Sequence, residues 1–260
     1  MSAPGSNPSM GAAPQRIALV TGASRGIGRA AALALAQSGA HVIALARTQG
    51  ALEELDDEIK ALKPGEESAT LAPVDLRDGE AIDRLGEAIY RRWGRLDAFI
   101  GNAGTLGVLS PLHHIEPKEW DSVMAINVTA NWRLIRSLDP LLRQSTAGRV
   151  VFVTSGAGYR TDMRAYWGPY ATSKAALDTL ARTYAAETMN TSKIRVMLVN
   201  PGPLRTMMRA RAMPGEDPMS LQTPEDLAPK LVELCAPEWS ETGKLYDFPT
   251  GKLLAFRAPG

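Results

Sequence analysis

Thr21-Gly-Ala-Ser-Arg-Gly-Ile-Gly28, entered directly from the apolar run Ile17-Ala-Leu-Val20, carries the strongest fold signal in the chain. An unbroken apolar run of this length reads as a strand buried on both faces. The segment from Gly26 to Gln37 reads as the helix that follows it. Glycines at 22, 26 and 28 let the chain turn tightly between the two. They also leave backbone N–H groups at a helix start free to meet a phosphate. The spacing Gly-x-x-x-Gly-x-Gly is not the usual dinucleotide fingerprint. By itself the cluster also suits a bare strand-to-helix turn.

The same alternation continues outward. His41 to Leu45 reads as a second strand, followed by a charged helix from about Ala51 to Leu62. Ala69–Val74, Leu96–Ile100, Arg149–Val153 and Ile194–Val199 read as further strands, and Lys244–Phe248 as one more. Strands without polar alternation belong in a parallel sheet covered on both sides. The expectation is therefore an α/β fold: one Rossmann-type, doubly wound parallel sheet of about seven strands with helices on both faces. Residues 15–260 are expected to form one catalytic domain, preceded by a flexible tail at 1–14 rich in Ser, Pro, Gly and Ala. The segment at about 203–224 has no clear period and reads as a lid. Its Met207, Met208, Met213 and Met219 suit either a pliable apolar wall over a substrate or plain packing. Its Arg205, Arg209 and Arg211 suit either steering of an acidic substrate or a solvated face.

Bulk properties exclude several classes. The chain has 260 residues and a net charge of +1, with Lys and Arg dispersed, so no basic footprint points to nucleic acid. Cys235 is the single cysteine, so no internal disulfide forms and a reducing, cytoplasmic setting is expected. No run of about 18 apolar residues is present, so no membrane span is expected, and the N-terminus lacks the pattern of a secretory signal. His113 and His114 are adjacent, read as a surface loop, and indicate no metal site.

A rival reading exists for the glycine stretch. Gly22-Ala-Ser24-Arg-Gly26 also spells the nucleophile elbow of serine hydrolases. Ser24, however, follows the first strand, which leaves no upstream loop for an oxyanion hole. The expected order also needs a late histidine, and His114 is the last in the chain.

The end of the second strand bears on the cofactor. A carboxylate there would grip ribose hydroxyls in an NAD enzyme, whereas arginine suits the 2′-phosphate of NADP. Here the strand ends Leu45-Ala-Arg-Thr48 with no acid in reach. Arg47 and Arg25 together would clamp that phosphate, so NADP(H) is expected in preference to NAD(H).

Tyr170-Ala-Thr-Ser-Lys174 opens a helix running to about Thr188. Residues four apart share a helical face, so phenol and ammonium can serve one site. A carbonyl that accepts a hydride needs a proton, and a free tyrosine, with a pKa of about 10, exchanges one poorly at neutral pH. A neighbouring lysine favours phenolate and is expected to lower that value. Of the six tyrosines, Tyr170 alone has lysine at this offset.

With these motifs in order, the chain from Arg16 to Phe248 resembles the short-chain dehydrogenase/reductase family. The resemblance is carried by Thr21-Gly-x-x-x-Gly-Ile-Gly28, Asp75, Asn102-Ala-Gly104, Asn127, Ser155, Tyr170-x-x-x-Lys174 and Asn200-Pro-Gly202. It implies that Tyr170 is the general acid/base, that Ser155 places the substrate oxygen, and that Lys174 holds the nicotinamide ribose. Asn127 would support a water chain behind the lysine. For the cofactor it implies Gly22, Ser24, Arg25, Gly26, Ile27, Gly28, Arg47, Asp75, Leu76, Asn102, Ala103, Gly104, Tyr170, Lys174, Pro201, Gly202, Leu204 and Thr206. Asp75 also suits a plain helix cap. The implied activity is hydride transfer between NADP(H) and a small carbonyl or alcohol, in a homodimer or homotetramer built on the helices carrying Asn127 and Tyr170.

Three departures from the family pattern stand out. Gly101 replaces a frequent asparagine, with the turn expected to stay intact. Ser155 and Tyr170 lie fifteen positions apart, about two more than is common, with the extra residues expected in Gly158 to Arg164. The end after Phe248 is atypical. Tyr166-Trp-Gly-Pro-Tyr170 and Thr206–Met213 are similar to bacterial reductases that resemble 3-oxoacyl-carrier-protein reductases but have no settled substrate. A dinucleotide-binding sensor on the same fold is the alternative, but a sensor has no need of Ser155, Tyr170, Lys174 and Asn127 together.

Overall fold

The computed structural model describes residues 15–62, 64, 65, 67, 69–159 and 161–256; the tail expected at 1–14 lies outside them. Among the described residues, eight strands form one sheet: β1 (Ile17–Thr21), β2 (His41–Ala46), β3 (Ala69–Pro73), β4 (Ala98–Gly101), β5 (Arg149–Val153), β6 (Arg195–Asn200), β7 (Lys244–Asp247) and β8 (Lys252–Leu254). Their order is β3-β2-β1-β4-β5-β6-β7-β8. All neighbours run parallel except β7 and β8, which pair antiparallel with Tyr246 opposite Leu253. The count of about seven misses β8. This strand has only three residues, all exposed, and a left-handed Gly251 (φ +66°) turns the chain back into it. Neither buried apolar length nor a long period marks such an edge strand in a sequence.

Among the described residues, eight α-helices flank the sheet: α1 (Gly26–Gln37), α2 (Gln49–Leu62), α3 (Gly79–Trp93), α4 (Pro117–Met124), α5 (Ala130–Gln144), α6 (Gly168–Met189), α7 (Met207–Ala212) and α8 (Pro224–Leu234). Alternate strand residues feed two separate cores. Leu19, Phe99, Phe152 and Leu198 pack with Ile82 of α3, Leu134 of α5 and Leu177 of α6. Val20, Ile100, Val151 and Val199 pack on the other face with Leu35 of α1, Leu55 of α2 and Leu231 of α8. That is why the strands read as continuous apolar runs: each side chain is buried on whichever face it points to.

The segment 203–224 is more ordered than its lack of period suggests. Thr206 caps α7 by accepting from the Arg209 N–H, a short 3-10 turn spans Pro218–Ser220, and Thr223 with Asp226 forms a capping box on α8. Local side-chain-to-backbone bonds organise it without an amphipathic period.

Candidate functional site

The strand order reverses between β1 and β4, since β1 leads outward to β2 and β4 leads outward to β5. A crevice opens at the carboxyl ends of such strands. The glycine turn lies there. Gly22 and Gly26 adopt φ of +66° and +54°, which β-carbon-bearing residues rarely take. A β-carbon on Gly28 would lie 2.5 Å from Asn102 Nδ2, so the turn and the loop after β4 are packed backbone to side chain. Arg25, at the N-cap of α1, makes no capping bond with its side chain, and the first turn of α1 holds no acid. The helix start therefore keeps its unsatisfied N–H groups, beside a turn packed so closely at Gly28 that no side chain fits there. This fits a dinucleotide pyrophosphate.

Thr21, absent from the expected site, ties the crevice together. Its Oγ1 donates to Ile100 O and accepts from the N–H groups of Asn102 (3.0 Å) and Ala103 (3.1 Å). Asn102 Nδ2 in turn donates to Thr21 O at 3.0 Å. A threonine at a strand end carries no distinctive spacing, so only the pairing of β1 with β4 exposes this role. Gly101 also proves to be more than a tolerated change. A β-carbon there would stand 2.6 Å from Phe152 Cδ1 and 2.9 Å from Asn131 Oδ1.

At the ends of β2 and β3, Arg47 is exposed, as is Arg25, whose Nη1 lies 3.9 Å from Met207 Sδ. Asp75 does not cap α3; Asp78 does, accepting from Ala81 N–H. Asp75 instead pairs with Arg77, at 2.5 Å between Oδ2 and Nη2. The Arg77 hydrogen bonds, with the field of Arg47 adding to them, hold its carboxyl down at about 2. Leu76 is buried in the core with Leu19, Ile82 and Leu134.

Across the sheet, β5 ends beside the start of α6. Ser155 caps a 3-10 turn at Gly156–Gly158 through Ala157 N–H, and Tyr170 lies in the first turn of α6. The phenol is buried among Leu106, Ala212, Trp167, Met208 and Met213. Burial raises its pKa, and the neighbouring Ser155 hydroxyl opposes that. The expected lowering by Lys174 is not what the structure displays. The ammonium lies 5.8 Å from the Tyr170 ring centroid and donates to Val153 O at 2.8 Å, and the apolar surroundings dominate. Lys174 itself is pushed down to about 8 by burial.

Asn127 sits in a π-helical turn, Ala125–Thr129, that joins α4 to α5. Its Oδ1 accepts from Thr105 N–H at 2.8 Å, and its Nδ2 donates to Thr105 O and to Ser173 Oγ, both at 2.9 Å. Ser173 Oγ donates to Tyr170 O at 2.7 Å. The amide thus brackets the loop after β4 to the first turn of α6, and its side-chain groups are engaged there rather than by Lys174. Thr105 and Ser173 are the partners that sequence reasoning missed.

After β6, Asn200 Oδ1 accepts from Gly156 N–H at 2.9 Å and joins this loop to Ser155. Pro201 and Gly202 follow at the rim, Gly202 with φ +66° against Pro249. Leu204 is buried and bridged to Gln222. Thr206 Cγ2 comes within 3.5 Å of where a β-carbon on Gly26 would be, which closes the ring from lid to glycine turn. Arg209 forms a two-pronged pair with Glu216, and Arg205 donates to Pro218 O and Leu221 O. Two of the three arginines considered for steering are therefore held by the lid itself.

The longer stretch between Ser155 and Tyr170 lies at the mouth. Tyr166 has φ +73°, a costly conformation for a side chain of this size, and its carbonyl accepts from Ser110 N–H. Trp167 then packs edge-on to Tyr170, with centroids 5.9 Å apart. His113 and His114 occupy a 3-10 turn with rings in contact, 4.1 Å between centroids. Ser24 finds no histidine: both nitrogens of His41 are bonded, to Glu67 O and Thr70 Oγ1, at the start of β2 and so at the opposite end of the sheet.

Comparison with known proteins agrees with this geometry. Residues 16–217 match the family model described as short chain dehydrogenase. The chain is 38% identical to the uncharacterized oxidoreductase YciK of Escherichia coli K12 over 238 residues, covering 91% of this chain and 93% of that protein. It is 30% identical to an NADPH-dependent pterin aldehyde reductase of Arabidopsis thaliana, over 84% of this chain and 87% of that one. A short chain dehydrogenase of Shigella flexneri 2a, solved in complex with NADP, superposes with a TM-score of 0.82 at 39% identity. That match covers 89% of this chain and 96% of the other. Among the described residues, no helix is long and apolar enough to cross a membrane.

Proposed function

We propose an activity from the premise that this chain belongs to the short chain dehydrogenase family: it is an NADP(H)-dependent oxidoreductase acting on a small carbonyl or alcohol, with Tyr170 as general acid/base. The observation that carries this reading is the convergence of Ser155, Tyr170 and Lys174 on the crevice that the glycine turn lines. The complex of the Shigella relative with NADP, together with the exposed side chains of Arg47 after β2 and Arg25 in the glycine turn, supports the phosphorylated cofactor.

Gly22 to Gly28, Asn102 to Gly104, Asp75, Leu76, Pro201, Gly202, Leu204 and Thr206 would hold the dinucleotide, with Arg25 and Arg47 on its 2′-phosphate. When bound, the nicotinamide supplies or accepts the hydride. Ser155 hydrogen-bonds the substrate oxygen. Tyr170, kept protonated by its apolar surroundings, gives its proton to that oxygen in reduction and takes one in oxidation. Lys174 holds the ribose from its buried position. Asn127 keeps the loop at Thr105 and the first turn of α6 in register, and so positions Tyr170. Trp167, Met208 and Met213, from the mouth and the lid, form an apolar wall that suits an uncharged portion of the substrate.

The test pairs binding with turnover. Tyr170→Phe should lower turnover of a carbonyl substrate by about 10²- to 10⁴-fold while leaving the NADPH dissociation constant nearly unchanged. Turnover within a few-fold of wild type would reject the assignment. NADPH binding without turnover across a carbonyl panel would favour a sensor.

A further inference from the structure

Three aspartates are buried in the described structure, and two of them are well served. Asp97 accepts from Ile17 N–H, Ser145 Oγ and Arg95 Nε. Asp247 accepts from Asn200 Nδ2 at 2.6 Å and Thr250 Oγ1 at 2.6 Å, with Tyr159 Oη at 3.4 Å. Asp178 is different. It is only 4% exposed, and its carboxylate has no well-formed hydrogen bond, only the weak approach of the Thr154 hydroxyl. Thr154 Oγ1, just after β5, is likewise buried, and it answers the carboxylate only weakly. Native proteins rarely leave a buried carboxylate this poorly hydrogen-bonded, because so little of the desolvation penalty is offset. Its retention points to a use.

The use is indicated by position. Asp178 lies one helical turn beyond Lys174 on α6, so both side chains share a face. The groups that face the carboxylate are few. Lys174 and Arg182 come from its own helix, Thr154 from the end of β5, and the Tyr159 phenol from the turn after Ser155. Arg182 is drawn aside onto the Phe256 ring, 4.4 Å away. Lys174 is thus the cation best placed to answer the charge. The lysine is itself only 4% exposed and has Val153 O as its hydrogen-bond acceptor, with no carboxylate in contact.

We propose that Asp178 is a positioning residue acting through Lys174: its carboxylate, buried one turn behind the ammonium, supplies the counter-charge that lets the lysine stay charged where the cofactor ribose is held. This rests on the role given to Lys174 above. Burial acts on the two groups in opposite directions, raising Asp178 to about 6 and lowering Lys174 to about 8, while each one's charge resists the shift of the other. At neutral pH both carry charge, with little margin on either side.

The experiment is an NADPH titration by fluorescence from pH 6 to pH 10 with the wild-type chain and Asp178→Asn. Wild-type affinity should weaken as Lys174 loses its proton. In D178N that weakening should set in about one pH unit lower, with affinity at pH 6 unchanged. If the amide variant does not fold, Asp178→Ser takes its place. A uniform loss of affinity at every pH would mean a merely structural role and would overturn the proposal. So would coincident profiles, or a wild-type affinity that does not vary with pH. A wild-type chain that binds no NADPH at any pH would sink the cofactor reading itself, whereas normal wild-type binding beside an unaltered D178N sinks only the role of Asp178.

Discussion

A β-carbon on Gly28 would stand 2.2 Å from the carbonyl oxygen of Gly22, so the two ends of the glycine turn touch backbone to backbone. The turn has one shape, and that shape leaves the start of α1 open. Gly28→Ala must push Gly22 O and Asn102 Nδ2 apart. We expect a loss of about 1–3 kcal/mol in stability, the usual cost of overpacking, and a loss of NADPH binding in whatever fraction remains folded. Chemical denaturation and fluorescence titration measure the two separately. An alanine variant with wild-type stability and affinity would show that the turn is not a cradle.

Gly101 offers the converse case. The family resemblance suggests asparagine there, yet Phe152 Cδ1 occupies the space. Gly101→Asn should destabilise the chain by about 1–3 kcal/mol. Phe152→Leu in the same chain should recover part of that loss, because the two residues sit opposite one another in the β4–β5 register. Additive losses in the double variant would refute the coupling.

Arg47 bears on cofactor choice. It is exposed, and among the described residues it has no ion pair within 4 Å, so its guanidinium is free for a phosphate. Arg47→Ala should weaken NADPH by about tenfold or more, the worth of a hydrogen bond between charged groups, and leave NADH within a few-fold. Equal effects on both cofactors would remove the residue from the 2′-phosphate.

Stability should depend on pH through Asp178 and Lys174, in opposite senses. Burial raises the Asp178 carboxyl to about 6, whereas an unfolded aspartate releases its proton at about 3.9. Between those values the native chain holds a proton that the unfolded chain lacks, so stability declines as pH rises through the window, by about 2–3 kcal/mol in all. Lys174 is lowered to about 8, against about 10.4 when unfolded, so stability climbs with pH over that upper window. Melting temperatures of wild type and D178N between pH 3.5 and 7 isolate the lower step. Parallel curves would mean that Asp178 is not buried as a charge.

Much of the sheet was legible because the face a strand residue meets is decided by alternation alone. β5 begins and ends where its apolar run does, and β1, β2 and β6 differ from their expected bounds by a residue or so. Boundaries slipped where capping intervened. Leu96 and Asp97 look like strand, but the Asp97 carboxylate receives Ile17 N–H and Ser145 Oγ, so β4 begins only at Ala98. In the lid, short-range caps at Thr206 and Thr223 order a segment without period.

The α/β alternation, the glycine turn, the arginine at the end of β2 and the one-turn spacing of Tyr170 and Lys174 were all legible in the residues themselves. All of these rest on local chemistry: side-chain volume, backbone freedom, charge and helical pitch act over a few residues. Only the tertiary structure decided that Thr21 joins β1 to the loop after β4 and that Asn127 is bracketed to Thr105 and Ser173. It likewise decided that Gly101 makes room for Phe152, and that burial outweighs the lysine in setting the Tyr170 pKa. These depend on which distant segments share a wall of the crevice and on how far water is kept from it. Desolvation and long-range hydrogen bonding have no period for a sequence to display.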